Sequence, residues 1–417
     1  MLTKALLKKA FVVLFALALL AGVNAGGGSD GGSQGTASSG PVLKPVKIAV
    51  AFWLLDANAL LIQKYLQEYV GPAFNVSFMF SEAVEDSSLL MTFMENAYAA
   101  GCQGIINYQN TAISQAIAKA NDLGMYIVSQ TTASAENSSL PYNMGFVAAT
   151  AASVAQSYGE LMKDLVNDGR NHNSIIVSAG AGFGNAEHYE VAMAILRTLE
   201  GVYGLKYEKA VKDLAASRGI TDVTNDKGIK ITIYPGYPTG STYVTGLSTL
   251  LQTGEYDTVL ACNAAYARCS VAIDEVEKAR KMNIRVLATS MMDDQMKTSF
   301  STVDSTGDSS LNSAVITASI SQAAGLFSLV YNGITGFADK VRVNGEGVYF
   351  NTPKWKCKSA ADFARLEQIN SSNDTWEVTI DEIKQLLVLF NPNANAESIY
   401  RQLDSITSES VLRARGP

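Results

Sequence analysis

Histidine is almost missing from this chain, with two residues in 417, and its four cysteines form no CxxC pair. Both scarcities argue against a zinc site, which draws closely spaced nitrogen and sulfur ligands from such patterns. Positive charge is also short: 32 Lys and Arg stand against 39 Asp and Glu. Past the first 25 residues the longest basic cluster is Lys354 to Lys358, diluted by Trp355 and Cys357. Phosphate backbones demand clustered Lys and Arg, so nucleic acid is excluded as a partner. Beyond residue 25 no apolar run is long enough to span a bilayer.

The cysteines are Cys102, Cys262, Cys269 and Cys357. An exported chain permits one disulfide, and Cys262 and Cys269 are the nearest pair. The other reading is small buried thiols, with Cys102 at a helix end and Cys262 at a strand end, where Cys packs as a hydrophobe.

What the chain does have begins with a leader. Lys4, Lys8 and Lys9 form a basic start without acids, and Ala10 to Val23 is a continuous apolar run. Val23-Asn24-Ala25 places small residues where a signal peptidase reads, so residues 1–25 are expected to be a cleaved export signal. Removing them leaves 29 basic residues against 39 acidic, a net charge of −10. Leu20-Ala21-Gly22 ends as a lipoprotein leader does, but Val23 stands where the lipidated Cys would be. Residues 26–45 read as a flexible Gly/Ser tether. Either the tether has outlived its anchor or the Cys has been replaced. The expected location is the periplasm or the outer face of the cytoplasmic membrane, close to the membrane through this tether.

From Val46 onward, strand-sized apolar runs alternate with helical-period segments, the pattern of βαβ units in a parallel α/β sheet. Strands are expected at Val46 to Trp53, Phe74 to Phe80, Gly104 to Tyr108 and Met125 to Ser129, separated by helices. After a stretch with Pro141 and Tyr142 the alternation restarts, with strands at Ser174 to Ala179, Gly228 to Tyr234, Thr258 to Asn263 and Ile284 to Ser290. A further strand, Ala314 to Ser319, precedes a long helix over Gln322 to Gly336. Trp355 is read in a loop, and two amphipathic segments, Ile380 to Phe390 and Ala396 to Ile406, as caps on the second lobe. The expected architecture is two Rossmann-like lobes with parallel sheets joined by three hinge crossovers. The first lobe takes 46–146 and 319–349, the second 147–318 and 350–417 with a helical C-terminal extension.

In parallel α/β sheets ligands sit beyond the carboxyl ends of the strands. Those positions hold Trp53, Asp56 and Asn58; Tyr108, Gln109 and Asn110; Ser129 and Gln130. In the second lobe they hold Phe183, Asn185, Glu187 and Tyr189, then Asn263 and Tyr266, then Ser290, Met292 and Asp293. Ser319 lies where the chain passes back between lobes. Aromatic faces cover C–H surfaces while amides, hydroxyls and carboxylates exchange hydrogen bonds, so the set suits a neutral polar organic molecule. Each position has a plainer alternative: Trp53 as a core cap, Asn185 and Asn263 as helix caps, Glu187 as a solvated residue at a helix start.

Gly180-Ala181-Gly182-Phe183-Gly184 invites a dinucleotide reading, but Asn185 occupies the last glycine position and no acidic residue follows at the required spacing. A glycine-rich turn starting a helix close to the sheet explains it as well. His172 and His188 neighbour no nucleophile elbow, and no enzymatic role, cofactor or metal is expected.

The order and spacing of these elements over Val46 to Tyr349 resemble the type I periplasmic binding proteins, the ribose and galactose-type sugar binders above all. Gly104-Ile105-Ile106-Asn107 followed by a helix and Met125-Tyr126-Ile127-Val128 looks like the family's third strand, helix and fourth strand. Thr258 to Asn263 looks like its strand ending in a ligand-binding Asn. Where sugar binders commonly end the fourth strand with Asp-Arg, this chain has Ser129 and Gln130, and Ser290 stands in place of an expected Asp. The resemblance implies a substrate-binding protein of an ABC importer whose lobes close over a small polar solute, with sugars ahead of modified sugars and nucleosides. A permease and its ATPase subunits would be the partners. The alternative is a sensor that presents its closed form to a membrane receptor. DNA-binding regulators share this fold, but a leader replaces their helix-turn-helix.

Overall fold

The computed structural model of the protein describes residues 41–110, 112–131, 137–236, 241–371 and 375–415. The expected export signal and the tether as far as residue 40 lie outside the described residues, and 41–45 enter the first strand without regular structure.

Two sheets organise the chain. The first contains β1 (Val46–Phe52), β2 (Val76–Ala83), β3 (Gly104–Asn107), β4 (Tyr126–Ser129), β5 (Asn143–Ala148) and, from far along the chain, β12 (Val348–Asn351). Its order is β12-β5-β4-β3-β1-β2, and every pairing is parallel. The second contains β6 (Ser174–Ala179), β7 (Thr221–Asp222), β8 (Ile231–Pro235), β9 (Thr258–Ala261), β10 (Arg285–Ser290), β11 (Ser313–Ile316) and β13 (Trp355–Cys357). Its order is β13-β11-β10-β9-β6-β8-β7, antiparallel only at the two edges. Strands of such sheets are covered by helices on both faces, so they read as unbroken apolar runs. Ile105, Ile106, Ile127 and Val128 are accordingly fully buried, as are Ile175, Ile176 and Val177.

The residues that follow the strands start the helices. Asp56, Asp86, Thr150, Asn185 and Asp293 each accept a hydrogen bond from the backbone N–H three positions on, capping the helices after β1, β2, β5, β6 and β10. A capped start satisfies one of the amides that a helix leaves open and turns its N-terminus toward the carboxyl edge of the sheet. The helix capped by Asp56 is Ala57–Lys64, continued by a wider π-helical turn over Tyr65–Val70.

The chain passes between the sheets after β5, after β11 and after β12, giving the three crossovers of the expected two-lobed architecture. The strand expected at Ala314 to Ser319 ends at Ile316, and Ser319–Asn332 forms a hinge helix whose residues are all buried. It packs beneath β3, β4 and β5. Small residues allow the close approach: a Cβ on Gly104 would stand 2.6 Å from Val330 Cγ2.

Two expectations change. Trp355, read as lying in a loop, is on β13, which completes the second sheet by antiparallel pairing with β11. The C-terminal segment, expected to belong wholly to the second lobe, is shared. The helix Ala360–Ser371 packs on the helix Asp294–Ser301 of the second lobe. The chain then returns to the first lobe, where Tyr65 OH donates to Val378 O at 3.0 Å and Asn332 Nδ2 donates to Leu386 O at 2.9 Å. Trp376, Val378, Ile383, Leu386 and Leu387 are buried against that lobe's helices. The helix Ala396–Asp404 lies on β12, and Ser408–Arg415 ends against β13 and the Ala360–Ser371 helix. The physical reason is the apolar flank of the hinge helix, which needs a cover that the strands of the first sheet do not supply.

All four cysteines are free and buried, so the Cys262–Cys269 disulfide does not form. Burial pushes the Cys357 thiol up to about 12.

Candidate functional site

The crossovers meet at a cavity of about 160 Å³. Asn110, beyond β3, lines it with Gln130 and Thr131 beyond β4, Ala148 and Ala149 at the end of β5, and Glu187 at the first turn of the helix after β6. The crossovers contribute Thr317 and Lys354, and the hinge helix contributes Gln322. Gln130 Nε2 donates to Gln322 Oε1 at 3.4 Å. Lys354 Nζ donates to Thr317 Oγ1 at 2.8 Å and stands 3.5 Å from Glu187 Oε1. Drug-sized ligands occupy pockets of roughly 300 Å³ and more, so this space admits only a small solute. Its lining consists almost entirely of amides, hydroxyls and one compensated charge pair, groups that exchange hydrogen bonds with a polyhydroxylated molecule.

Of the residues anticipated from the sequence, Asn110, Gln130 and Glu187 line this cavity. Trp53 is on the surface, 40% exposed, rather than in the core. Phe183 is 55% exposed at the start of the second lobe's turn. Asn263, just past β9, is partly buried, and neither atom of its side-chain amide has a hydrogen-bond partner. An unsatisfied buried amide costs about 1–3 kcal/mol, which a bound ligand or water recovers. Tyr266 is buried with an unpartnered hydroxyl near Ser290, and Ser178, Tyr243 and Thr289 carry further unpartnered hydroxyls. Tyr243 lies close to Asn263 without completing a hydrogen bond. Burial raises the phenols of Tyr243 and Tyr266, so both remain neutral donors.

Other anticipated residues have structural work. Asp56 and Asn185 are helix caps, accepting from Ala59 N at 2.8 Å and His188 N at 3.0 Å. Ser129 is buried and accepts from Asn107 Nδ2 at 3.3 Å. Tyr108 stacks on Phe52 with centroids 5.1 Å apart, its hydroxyl unpartnered and its phenol raised by burial. Tyr189 packs against the second lobe's core, and Ser319, buried, opens the hinge helix. Sequence reasoning missed Thr131, one residue past Gln130, and, at the crossovers, Thr317, Gln322 and Lys354. The signal of the last three is position alone: they flank the points where the chain changes sheets.

The glycine-rich turn has a packing explanation. A Cβ on Gly182 would stand 2.3 Å from Ser217 O, and His188 Nδ1 accepts the Gly180 N–H at 2.9 Å. That bond, with burial lowering its pKa, keeps the imidazole neutral. His172 is buried at the opposite edge of the second sheet, between Asp168 at 3.0 Å and Asp257 at 3.3 Å. Neither histidine lines the hinge cavity. A larger cavity of about 410 Å³ lies between the helix Ala57–Lys64, Met292 to Asp294 and the helix Ala360–Ser371.

No family model matches the chain, and no curated protein matches it in sequence. Solved structures do match in fold. An ABC transporter solute binding protein from Bacillus halodurans C-125 with bound myo-inositol is 16% identical, with a TM-score of 0.52 over 80% of this chain and 99% of that one. A sugar-binding protein of a sugar ABC transporter from Bacillus halodurans is 13% identical, TM-score 0.56, over 76% of this chain and 98% of that one. An arabinose binding protein from Geobacillus stearothermophilus is 12% identical, TM-score 0.55, over 77% and 98%. The chain thus has the two-lobed type I periplasmic binding fold.

Proposed function

We propose that this chain is the extracytoplasmic solute-binding protein of an ABC importer and that it captures a sugar or sugar-like solute between its lobes. The observation that carries the reading is the small polar cavity at the meeting of the three crossovers, lined from both sheets and from the hinge helix. Structures of the same fold belong to sugar transporters, one with myo-inositol bound. The moving bodies in this reading are 46–146 with 319–349, and 147–318 with 350–371, bridged by the remaining C-terminal residues.

A ligand that touches both lobes only when they are shut shifts the open and closed populations by its differential affinity. Gln130 and Gln322 hold it at the floor, Trp53 and Phe183 cover it, and Asn263 and Glu187 bond it from the second lobe. None of these roles breaks a covalent bond, so the protein binds rather than catalyses. ATP hydrolysis belongs to partner chains, and the closed form docks on their permease. The chain works outside the cytoplasmic membrane.

A thermal-shift screen over neutral sugars, sugar acids, amino sugars and nucleosides tests the reading, because a ligand specific for the folded state raises the melting temperature. A rise of several degrees with one sugar is expected. Nucleosides alone raising it would move the ligand class, and no shift from any sugar or nucleoside would overturn the capture of such solutes.

A further inference from the structure

We infer that Lys354 and Glu187 act as one compensated pair that sets the charge selectivity of the hinge cavity, admitting neutral sugars and turning away both acidic and amino sugars. The inference rests on the sugar-binding reading above and adds a specificity determinant to it.

Lys354 sits on the third crossover, between β12 and β13, and its side chain is 10% exposed. Glu187 belongs to the second lobe, and its side chain is 35% exposed. Both line the cavity. Their separation of 3.5 Å is longer than a charge-assisted hydrogen bond, typically about 2.7–2.9 Å. Neither group is saturated. An ammonium has three donors, and Lys354 spends one on Thr317 Oγ1. Glu187 has no closer protein donor among the described residues. A sugar hydroxyl can therefore donate to the carboxylate while a neighbouring oxygen accepts from the ammonium, and the pair's net charge stays zero.

The remainder of the cavity lining is uncharged: Asn110, Gln130, Thr131, Ala148, Ala149, Thr317 and Gln322. Whatever charge the cavity presents therefore comes from these two side chains. Because the two charges stand 3.5 Å apart and sum to zero, a solute carboxylate that approaches Lys354 also meets Glu187, and a solute ammonium that approaches Glu187 also meets Lys354, so a charged solute gives up its hydration for no net attraction. In a partly desolvated site such a like-charge encounter is weakly screened. Removing one partner should expose the other's preference. Glu187→Gln leaves an uncompensated ammonium, which favours a sugar acid. Lys354→Gln leaves an uncompensated carboxylate, which favours an amino sugar.

The test measures dissociation constants by isothermal titration for wild type, Glu187→Gln, Lys354→Gln and the double variant. The probes are myo-inositol, D-arabinose, D-galactose and D-glucose, with D-galacturonate, D-glucuronate, D-galactosamine and D-glucosamine. Relative to wild type, Glu187→Gln is expected to shift the acid-to-neutral affinity ratio about tenfold toward the acid, and Lys354→Gln about tenfold toward the amine. The double variant should return toward the neutral preference. Glu187 is partly exposed, so Glu187→Gln keeps the test alive if Lys354→Gln does not fold. Ratios within twofold of wild type in every folded variant, with a neutral sugar still bound, overturn the charge-pair inference and leave the sugar reading standing. A wild type that binds none of the eight probes overturns both.

Discussion

Glu377 caps the amino end of the hinge helix through Ser321. Its Oε1 accepts from Ser321 N at 2.5 Å and from Ser321 Oγ at 2.6 Å, while Oε2 accepts from Asn370 Nδ2 at 2.9 Å. Ala318, at the helix's own cap position, offers no side-chain acceptor. A residue from the C-terminal segment thus supplies what the local sequence omits, and the helix it caps carries Gln322 into the cavity. Removing a buried carboxylate with three donors strands those donors. Glu377→Ala is expected to cost about 3 kcal/mol, and Ser321→Ala about 1 kcal/mol, in urea denaturation. A loss under about 0.5 kcal/mol for Glu377→Ala would show that the cap does not support the helix.

The join between β5 and β12 depends on a glycine. Gly145 has φ +119°, and a Cβ there would stand 1.9 Å from Val348 O. Gly145→Ala therefore cannot keep the parallel pairing that closes the first sheet, and a loss of more than about 3 kcal/mol is expected. Gly101 has φ +83° with nothing within 4 Å of a Cβ. Gly101→Ala should cost only the left-handed backbone term, about 1–2 kcal/mol. Equal melting temperatures for the two variants would contradict the steric argument.

Glu277 gives the stability a pH dependence. It is buried, accepts from Ile284 N at 2.7 Å, and is pushed up to about 7 chiefly by desolvation. An unfolded Glu titrates near 4.3. With the folded value raised, the protonated form favours folding: this contribution is fully present below about pH 4 and is lost as pH rises through about 7. Comparing the pH dependence of unfolding for wild type and Glu277→Gln isolates it, with a difference of roughly 2–3 kcal/mol developing between pH 4.5 and 8. Parallel curves would mean that the carboxyl ionises freely in the folded state.

Asn263 should trade stability for affinity. Both atoms of its amide are buried and unpartnered, so Asn263→Leu, of similar size, should raise the melting temperature without ligand and weaken sugar binding at least tenfold. Trp53→Ala should weaken binding by a similar factor with little change in melting temperature, because the ring is 40% exposed. A variant at Asn263 that binds as wild type would place the ligand elsewhere.

The strands buried on both faces were legible from sequence because their apolar runs are long and punctuated. The expected Val46 to Trp53 is observed as Val46–Phe52, and Ser174 to Ala179 matches the observed β6. β12 and β13 were not legible as strands, being four and three residues long around Thr352, Pro353 and Lys354. The helix Ala360–Ser371, with mixed polarity and no clear stripe, was likewise missed. In the site, Asn110, Gln130 and Glu187 follow strands, where the strand-end rule reaches them. Lys354 precedes a strand, Thr317 was read as part of one, and Gln322 lies within a helix, so no strand-end rule reaches them. Asp56 and Asn185 were ambiguous because the residue after a strand is also where a helix needs its cap.

Small-angle X-ray scattering with and without a saturating sugar from the thermal screen tests the central claim, that the lobes capture their solute by shutting. The account predicts a smaller radius of gyration in the bound protein, with the decrease lost in the variant that no longer binds. Superimposable scattering curves at full saturation would contradict it.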